Sequence, residues 1–467
     1  MNDVYTSVLE MIGHTPLLRI NNIDTGPCEL WVKMESQNPG GSVKDRIGLS
    51  MIEAAERAGR LKPGGTLIEA TAGNTGLGLA LVAAQKGYKL ILVNPDKMSQ
   101  DKIFHLKALG VDVRLTRSDV AKGHPEYYQD VAERLTREIP GAIWINQFAN
   151  PDNPVAHTTG TGPEIWEQMD HRLDAVVCGV GSGGTLTGLG RFFQSVDPDI
   201  EMVLADPEGS VLAETVRTGV MPEHVGSWLV EGIGEDFVPP NCDLSLVSEA
   251  ITVNDQEAFA AIRELLSLEG VLGGSSTGTL LAAALKYCRR QSKPKRVVTL
   301  VCDTGNKYLS KAFNPVWLVD QGLMRRDPAG DLRDLISRRA DRGEAIVLEP
   351  DDPLTTAYAR MRLYDVSQLP VLAGEQIVGI VDESDLLMAV AADPDRFGDP
   401  VRETMVTKLQ VIAPTKSIDD LIPIFRADKV ALVADGEQFY GLITKVDLIN
   451  HLRRQADAAH QVEAAHD

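Results

Sequence analysis

The sequence has few cysteines, and none of them lies at a metal-binding spacing. Five cysteines are far apart in the chain, without a CxxC or CxxxC pair: Cys28, Cys178, Cys242, Cys288 and Cys302. This spacing excludes the usual zinc sites, and the histidines add no metal spacing, so we expect no metal. An odd and scattered set of cysteines also argues against a disulfide framework and suits a reducing compartment.

The sequence also lacks an excess of positive charge and a long hydrophobic run. It has 46 Lys and Arg residues against 66 Asp and Glu residues, a formal charge of −20. This balance argues against nucleic acid or an anionic membrane surface as a partner. No apolar run approaches the roughly 20 residues of a membrane span, and the first residues do not resemble a secretion signal. We therefore expect a cytoplasmic protein with neither of those partners.

Short apolar runs alternate with amphipathic stretches through the first two thirds of the chain. Four runs are typical of buried strands, namely residues 67–70, 90–93, 176–179 and 297–301. Helical spacing lies between them, and two of the helices end at Gly59 and Gly87. The alternation predicts an α/β fold with mostly parallel sheets, whose functional sites lie at the carboxyl ends of strands.

The last third of the chain contains an internal repeat. Residues 379–386 align with residues 441–448, an offset of 62 residues (441 − 379). Each copy follows the order strand, helix, strand, strand, helix, and it is too small to bury its sheet alone, so we expect the two copies to pack together. The predicted boundaries are a catalytic domain at 1–320, a linker at 321–336, repeat domains at 337–396 and 397–458, and a disordered tail at 459–467.

A lysine in a glycine-rich turn is the first candidate for chemistry. Lys44 follows the sequence Gly-Gly-Ser-Val at residues 40–43 and begins a predicted helix. The positive end of a helix dipole disfavours an ammonium ion, which lowers the pKa of the amine and makes it able to attack a carbonyl. An ordinary surface lysine is the alternative, and the neighbouring loops favour catalysis.

Two further loops are suited to bind anions. Residues 181–185 and 71–76 each follow a predicted strand and precede a helix, and both combine glycines with hydroxyl side chains. Such turns direct backbone N–H groups at a phosphate or a carboxylate. A dinucleotide loop is the alternative for residues 181–185, but their spacing departs from GxGxxG. An imine-forming lysine, a phosphate loop and a carboxylate loop together predict pyridoxal 5′-phosphate as the cofactor.

Residues 5 to about 320 resemble the fold-type II pyridoxal-phosphate enzymes, in particular the cystathionine β-synthase and cysteine synthase family. The resemblance is carried by residues 41–47, 73–80, 150–157, 206–210 and 231–234. The repeat resembles the tandem CBS domains, or Bateman module, named after the same family. The resemblance implies a two-lobed fold of parallel sheets, a lyase that replaces the β-substituent of an amino acid with a thiol, and a homodimer or homotetramer.

The resemblance also implies a role for each matching residue. Lys44 would hold the cofactor and remove the Cα proton of the substrate, Asn74 would bind the phenolic oxygen, and Thr304 would lie beside the pyridine nitrogen. The cofactor phosphate would be bound by Gly181, Ser182, Gly183, Gly184 and Thr185. The amino-acid substrate would be surrounded by Thr71, Ala72, Thr75, Gln147, Phe148, Glu231 and Gly232.

Three features depart from the family pattern. Ala72 stands where a serine is common, which removes one donor to the substrate carboxylate. Glu235 stands where the animal and yeast cystathionine synthases carry a tyrosine. The haem-binding amino-terminal extension of the animal enzymes is absent, because the resemblance already begins at Tyr5, and we expect no haem.

The resemblance favours a reaction that joins L-serine and L-homocysteine to L-cystathionine and water, a transsulfuration step in cysteine biosynthesis. Glu231 supports it, since cysteine synthases usually carry glutamine there, and so does the fused CBS module. A cysteine synthase that uses O-acetylserine and sulfide, or a cystathionine synthase that uses O-acetylserine, remains an alternative. A ligand sensor with an idle catalytic half is a third, which the presence of Lys44, Asn74 and Thr304 argues against.

The CBS module is predicted to bind an adenosyl ligand. Thr444 and Asp447 match the ribose-binding pattern of these domains, while Asp382 and Asp385 occupy the corresponding positions of the first copy. S-adenosylmethionine or an adenine nucleotide is the expected ligand, and a plain dimerisation surface is the alternative.

Overall fold

The computed structural model describes residues 4–71, 73–96, 100–120, 123–324, 328–391 and 393–464. The chain divides into two compact units, Met1–Phe313 and Asn314–Asp467. Within the described residues, no helix combines the length and the hydrophobicity that a membrane span requires. All five cysteines are unpaired, and burial raises the pKa of the Cys302 thiol to about 12, as expected of a packing residue rather than a nucleophile.

Parallel sheets and their crossover helices build the first unit. Its strands are β1 (Leu17–Arg19), β2 (Glu29–Lys33), β3 (Thr66–Ala70), β4 (Lys89–Pro95), β5 (Asp112–Thr116), β6 (Ala142–Trp144), β7 (Ala175–Cys178), β8 (Glu201–Pro207), β9 (Glu249–Val253) and β10 (Arg296–Leu300). Its helices are α1 (Lys44–Arg57), α2 (Asn74–Lys86), α3 (Gln100–Ala108), α4 (Tyr128–Glu138), α5 (Asp152–Ala156), α6 (Gly162–Gln168), α7 (Gly184–Val196), α8 (Leu212–Thr218), α9 (Asp255–Glu269) and α10 (Ser275–Arg289).

Two sheets organise these elements. One has the order β5-β4-β3-β6 and is parallel throughout, and the other has the order β1-β2-β10-β7-β8-β9, in which β1 alone is antiparallel to its neighbour. The four runs that the sequence predicted as strands are β3, β4, β7 and β10. The predicted α/β class with mostly parallel sheets is therefore confirmed.

The first two helices cross in direct backbone contact. A Cβ atom at Gly48 would lie 2.8 Å from the carbonyl carbon of Gly78, and one at Gly78 would lie 2.6 Å from the carbonyl oxygen of Lys44. Only glycine at both positions permits this approach. Ile47 and Leu79 are buried beside the crossing in one apolar core. The crossing therefore brings the first turn of α1, with Lys44, against α2.

Two repeats make up most of the second unit. Its helices are α11 (Pro315–Asp320), α12 (Leu354–Tyr364), α13 (Glu383–Val390), α14 (Leu421–Arg426) and α15 (Lys445–Ala464). Its strands are β11 (Gln368–Ala373) and β12 (Gln376–Asp382) in the first repeat, and β13 (Val411–Ile412), β14 (Ala431–Asp435) and β15 (Gln438–Ile443) in the second. The first strand of the first repeat is reduced to a single parallel bridge between Leu348 and Val371.

Each repeat is completed by the segment that precedes the other one. Leu332, Leu335 and Ile336 precede the first repeat but are buried in the core of the second. Conversely, the segment before the second repeat packs on the first, where Met405 covers Gly379 and the next residue bridges to β12. The two copies consequently form one compact unit, as the small size of each predicts.

The chain differs from the predicted boundaries at two places. The end of the predicted linker at 321–336 is a helical turn with buried leucines, because these side chains fill the second repeat's core. Helix α15 extends to Ala464, and it includes residues 459–464 of the predicted tail. Alanine and glutamate have high helix propensity, which favours continuing the helix.

Candidate active site

Lys44 lies in a turn that is joined to the segment after β10. The turn includes Gly41, whose φ of +76° suits glycine. The amide of Val43 donates to the Cys302 carbonyl at 2.8 Å, and the amide of Thr304 donates to the Gly41 carbonyl at 3.0 Å. Burial lowers the pKa of Lys44, an effect that nearby acidic groups only partly oppose. The neutral amine that imine chemistry requires is therefore favoured.

Asn74 begins α2 and belongs to a polar network with the residues after β10. Its amide nitrogen donates to Asp303 Oδ2 at 2.8 Å, while its amide oxygen accepts from Lys307 Nζ at 2.7 Å. Tyr308 also donates to Asp303 Oδ2 at 2.7 Å. Asp303 Oδ1 is buried and has no hydrogen-bond partner within the described part of the chain. The network fixes the orientation of the Asn74 side chain.

The predicted phosphate loop joins β7 to α7, and its glycines are required by close approach. A Cβ atom at Gly181 would lie 2.5 Å from the carbonyl oxygen of Gly232, and one at Gly184 would collide with the Asn153 side chain. Gly183 adopts a φ of +84°. Backbone N–H groups in the first turn of α7 lack partners within that helix and suit an anion. The loop is a cradle, and a side chain at Gly181 or Gly184 would clash with the atoms packed against it.

Hydroxyl groups complete this loop. Ser182 Oγ accepts from Asn153 Nδ2 at 2.9 Å, and Thr185 Oγ1 lies 3.3 Å from His157 Nε2. Burial, together with the charges of Arg46 and Lys44, lowers the pKa of His157 well below its ordinary value. A neutral His157 imidazole adds no positive charge at the loop, so an anion bound there would be stabilised by the backbone N–H and hydroxyl donors.

The predicted carboxylate-binding residues lie at the ends of β3 and β6. Thr75 Oγ1 donates to Gln147 Oε1 at 2.6 Å, and Thr71 Oγ1 accepts from the Gly73 amide at 3.2 Å. The Gln147 amide donates in turn to Glu69 Oε2 at 3.2 Å, a carboxyl whose pKa burial raises to about 7. Ala72 lies outside the described residues. Thr75 and Gln147 are therefore in direct contact, and Thr71 caps the turn that precedes Thr75.

The predicted substrate residues 231 and 232 lie in a loop on the other side of Gly181. Glu231 forms ion pairs with Lys102 at 2.6 Å and with Lys311 at 2.7 Å. Burial by itself would raise the pKa of Glu231, but these two lysines lower it below its ordinary value. Gly232 has a φ of +89°. Glu231 is thus an ionised group in a charged cluster rather than a solvated glutamate.

An aromatic pair joins the segment after β6 to the segment after the Glu231 loop. The rings of Phe148 and Phe237 lie with centroids 5.7 Å apart. The Phe148 carbonyl accepts from the Asn241 amide at 3.1 Å. Phe148 follows Gln147 directly, so the pair lies beside the predicted substrate residues and gives that end of the site an apolar wall.

The sequence analysis did not single out several residues that the fold brings to this site. Ser275 begins α10, is buried, and accepts from the Glu231 amide at 3.0 Å. Residue 273 bridges to Thr304, whose own hydroxyl accepts from the Asn306 amide at 3.3 Å. The Gly-Gly-Ser-Ser-Thr sequence at residues 273–277 combines glycines and hydroxyl residues like the other loops. This pattern could have identified the segment as part of the site.

The donor set of the first unit fits pyridoxal phosphate. Lys44 supplies an amine of lowered pKa, and the turn before α7 supplies a cradle for a phosphate. Asn74 and Asp303 contact each other and supply further polar atoms. Among the described residues, no group of His, Cys, Asp or Glu side chains could hold a metal ion.

A separate cavity of about 260 Å³ lies between the two repeats of the second unit. Thr444 and Asp447 line it, and Thr444 Oγ1 donates to Asp447 Oδ2 at 2.6 Å. Ser337 donates to the other oxygen of Asp447. Asp382 and Asp385 form the same reciprocal cap at the start of α13, where each residue accepts from the backbone amide of the other, as Thr444 and Asp447 do at the start of α15. The two copies of the predicted nucleotide motif differ in their surroundings, because Thr444 and Asp447 line the cavity whereas Asp382 and Asp385 do not, and Asp382 is exposed.

Known proteins are similar to both units. The family model for pyridoxal-phosphate dependent enzymes matches residues 8–303, and the CBS domain model matches residues 323–392 and 401–454. A cystathionine beta-synthase from Dictyostelium discoideum is 37% identical over 97% of this chain and 93% of its own length. Cysteine synthase 1 from Neurospora crassa is 40% identical, over 68% of this chain and 85% of its own.

A solved structure, that of a hydrogen sulfide-producing enzyme from Fusobacterium nucleatum, is similar with a TM-score of 0.61 and 38% identity, over 66% of this chain and all of the other. The match to the pyridoxal-phosphate model spans more than half of the sequence, and the match to the Dictyostelium discoideum protein covers 97% of this chain, so it extends through the region of the CBS domains. The chain therefore belongs to the pyridoxal-phosphate-dependent enzymes, within the cystathionine β-synthase family with tandem CBS domains.

Proposed function

We propose that this enzyme condenses L-serine with L-homocysteine to form L-cystathionine and water. The observation that carries the proposal is the match to cystathionine beta-synthases over nearly the whole chain, CBS module included. The match to a cysteine synthase is confined to about the length of the catalytic unit.

Lys44 would hold the cofactor, with Asn74 at its ring oxygen, Thr304 at its ring nitrogen, and the 181–185 loop at its phosphate. Pyridoxal phosphate, when bound, accepts the electron pair that is released at the substrate Cα. Lys44 takes the Cα proton, and burial supports this role because it favours the neutral amine. Thr71, Thr75 and Gln147 orient the substrate carboxylate.

The charged cluster around Glu231 supports an amino-acid acceptor. Two lysines share one carboxylate there, so the cluster carries a net positive charge. A homocysteine carboxylate can pair with a lysine while its ammonium pairs with Glu231, an exchange of ion pairs that sulfide has no groups to make. Glutamine at position 231 would remove the carboxylate that pairs with the homocysteine ammonium.

The runner-up is a synthase that uses O-acetylserine, with sulfide or homocysteine as the acceptor. The identity of the catalytic unit to a cysteine synthase favours it. Steady-state kcat/KM for serine with homocysteine, measured against O-acetylserine with sulfide, separates the two. A preference for the first pair supports the proposal, and a preference for the second pair overturns it.

A matched pair of variants tests the acceptor site. Glu231→Gln is expected to raise the KM for homocysteine by about tenfold, a loss of about 1.4 kcal/mol, and to leave sulfide turnover nearly unchanged. Glu133→Gln removes an exposed glutamate on α4 and is expected to change neither value.

We propose that the second unit binds an adenosyl ligand, either S-adenosylmethionine or an adenine nucleotide. The cavity supports this because it joins a hydroxyl and a carboxylate, suited to a ribose, with the Arg338 guanidinium, suited to an anionic group. Calorimetric titration of the full chain tests it, with Asp447→Asn expected to lose binding and Asp385→Asn expected to retain it. Equal binding by both variants would place the ligand away from Asp447, and no binding by the wild-type chain would favour a plain dimerisation surface.

The remaining features follow the resemblance. We expect a cytoplasmic homodimer or homotetramer, and the five unpaired cysteines support a reducing compartment. Light scattering of the full chain would give the assembly state directly.

A further inference from the structure

Glu235 lies in the loop that also carries Glu231 and that contacts the phosphate cradle through Gly232 and Gly234. The amide of Gly234 donates to the Val180 carbonyl at 2.9 Å, directly beside the cradle. The amide of Glu235 donates to Ser210 Oγ at 3.1 Å, and its carbonyl accepts from the Val211 amide at 3.0 Å. The backbone of Glu235 is therefore fixed from two sides, and the direction of its side chain is set by the fold.

The side chain of Glu235 lies beside the cradle, and within the described part of the chain it has no ion pair or hydrogen bond. Its Oε1 lies 4.0 Å from the position of a Cβ atom at Gly181. Charges act on the carboxyl, but no hydrogen bond to it is found among the described residues. Glu231, four residues earlier, differs in this respect, because each oxygen of its carboxylate forms an ion pair with a lysine.

The surroundings of Glu235 favour its neutral, proton-carrying form. Burial is the main cause that raises its pKa to about 8, and Asp236 and Asp206 add to it while Lys44 opposes it. The other titratable groups that interact with it are Tyr127, Tyr128 and Cys242. Glu235 and Lys44 act electrostatically on each other, and a carboxyl with a raised pKa in such surroundings can act as an acid at neutral pH.

We propose that Glu235 is a catalytic acid that protonates the departing hydroxyl of the amino-acid donor. The proposal rests on the proposed use of serine, because hydroxide is a poor leaving group and needs a proton. As Lys44 takes the Cα proton, the electron pair left behind forms the second Cα–Cβ bond. The Cβ–O bond breaks with its electrons on oxygen, and that oxygen takes the proton of Glu235 and leaves as water.

The acid is restored in the second half of the reaction. The incoming thiol gives its proton to the Glu235 carboxylate as the Cβ–S bond forms, and Lys44 returns a proton to Cα. All atoms then balance as serine plus homocysteine giving cystathionine plus water. No oxidant or reductant is needed.

The test compares two donors in Glu235→Gln, with homocysteine at saturation. Acetate leaves O-acetylserine without a proton, so only serine should need the acid. We expect kcat/KM for serine to fall by about a hundredfold and that for O-acetylserine to change by less than about threefold. The visible spectrum and the affinity of the bound cofactor are expected to remain unchanged, which checks that the cradle is intact.

The pH profile provides a second readout. An acid acts in its protonated form, so kcat/KM for serine in the wild type is expected to fall as the pH rises through about 8. Asp236→Asn removes an exposed carboxylate that raises the Glu235 pKa, and it is expected to move this alkaline limb to lower pH without lowering the maximum rate. O-acetylserine turnover should lack the limb.

Three outcomes would overturn the proposal. An equal loss with both donors, with the cofactor spectrum unchanged, would assign Glu235 to shape or binding. A rise confined to the KM for homocysteine would assign it to the acceptor. If the wild type uses O-acetylserine but not serine, both the proposed function and the acid role fail, whereas wild-type serine turnover with either of the first two results refutes the acid role alone.

Discussion

The buried ion network behind Lys44 provides the sharpest test of what stabilises the catalytic unit. Glu164 on α6 pairs with Lys33 at 2.8 Å and with Arg46 at 2.7 Å, and Arg46 also pairs with Glu35 at 2.6 Å. The side chain of Lys33 is 0% exposed and that of Glu164 is 14% exposed. Glu164→Gln keeps the shape of the side chain but removes its charge, which leaves two buried cations against one carboxylate.

The size of the effect follows from the pKa of Glu164. Burial opposes ionisation of this carboxyl, but Arg46 and Lys33 lower its pKa from 4.5 to about 2. A shift of roughly 2.5 pKa units corresponds to about 3 kcal/mol of stability at pH 7. This agrees with the ~3–5 kcal/mol typical of breaking a buried ion pair. Because the folded-state pKa is depressed, this stability is present above about pH 4.5 and is lost as the pH falls towards 2.

Urea unfolding followed by tryptophan fluorescence measures the effect, because Trp31, Trp144, Trp166 and Trp228 lie in the first unit. The control is Glu167→Gln on the same helix, where the side chain is 73% exposed and pairs with His171. We expect about 3 kcal/mol of destabilisation for the first variant at pH 7, declining to about 1.5 near pH 3, and less than about 0.5 for the second. Equal effects of the two variants would refute the reasoning.

Three further predictions concern the cofactor. Lys44→Ala should abolish turnover without changing the circular dichroism spectrum, and retained steady-state turnover would exclude the proposed base. Removal of residues 331–467 should leave cofactor binding intact, because the proposed cofactor residues all precede them, and loss of the bound cofactor would contradict the domain boundary. Gly181→Ala should weaken cofactor binding at least tenfold, about 1.4 kcal/mol, since its Cβ would lie 2.5 Å from Gly232. Gly398→Ala has open space and should bind normally in the same titration.

The sequence was a good guide where local patterns determine the structure. Apolar runs predicted β3, β4, β7 and β10, and the glycine turns 71–76 and 181–185 lie, as predicted, between a strand and a helix at the carboxyl ends of β3 and β7. The repeat at an offset of 62 residues predicted a paired module. Each of these inferences needs a few neighbouring residues and no knowledge of distant contacts.

The partners of the site residues could not be predicted in this way. Asn74 contacts Asp303 across 229 residues, and Glu231 contacts Lys102 across 129. No local spacing encodes either pair. The exchange of segments between the two repeats was missed for the same reason. Leu332 and Leu335 lie in a charged stretch typical of a linker, and only the folded structure shows that they are buried in the core of the second repeat.

The two glutamates of one loop illustrate how neighbouring charges decide the chemistry of identical side chains. Burial raises the pKa of both Glu231 and Glu235. At Glu231, two lysines in direct contact outweigh that effect and keep an anion. At Glu235, no ion pair is found among the described residues, and burial together with two acidic groups outweighs Lys44 and raises the pKa to about 8. Two carboxyls whose pKa values diverge can divide binding and acid catalysis between them. We therefore expect departure of the donor's leaving group to depend on Glu235 and the choice of acceptor to depend on Glu231.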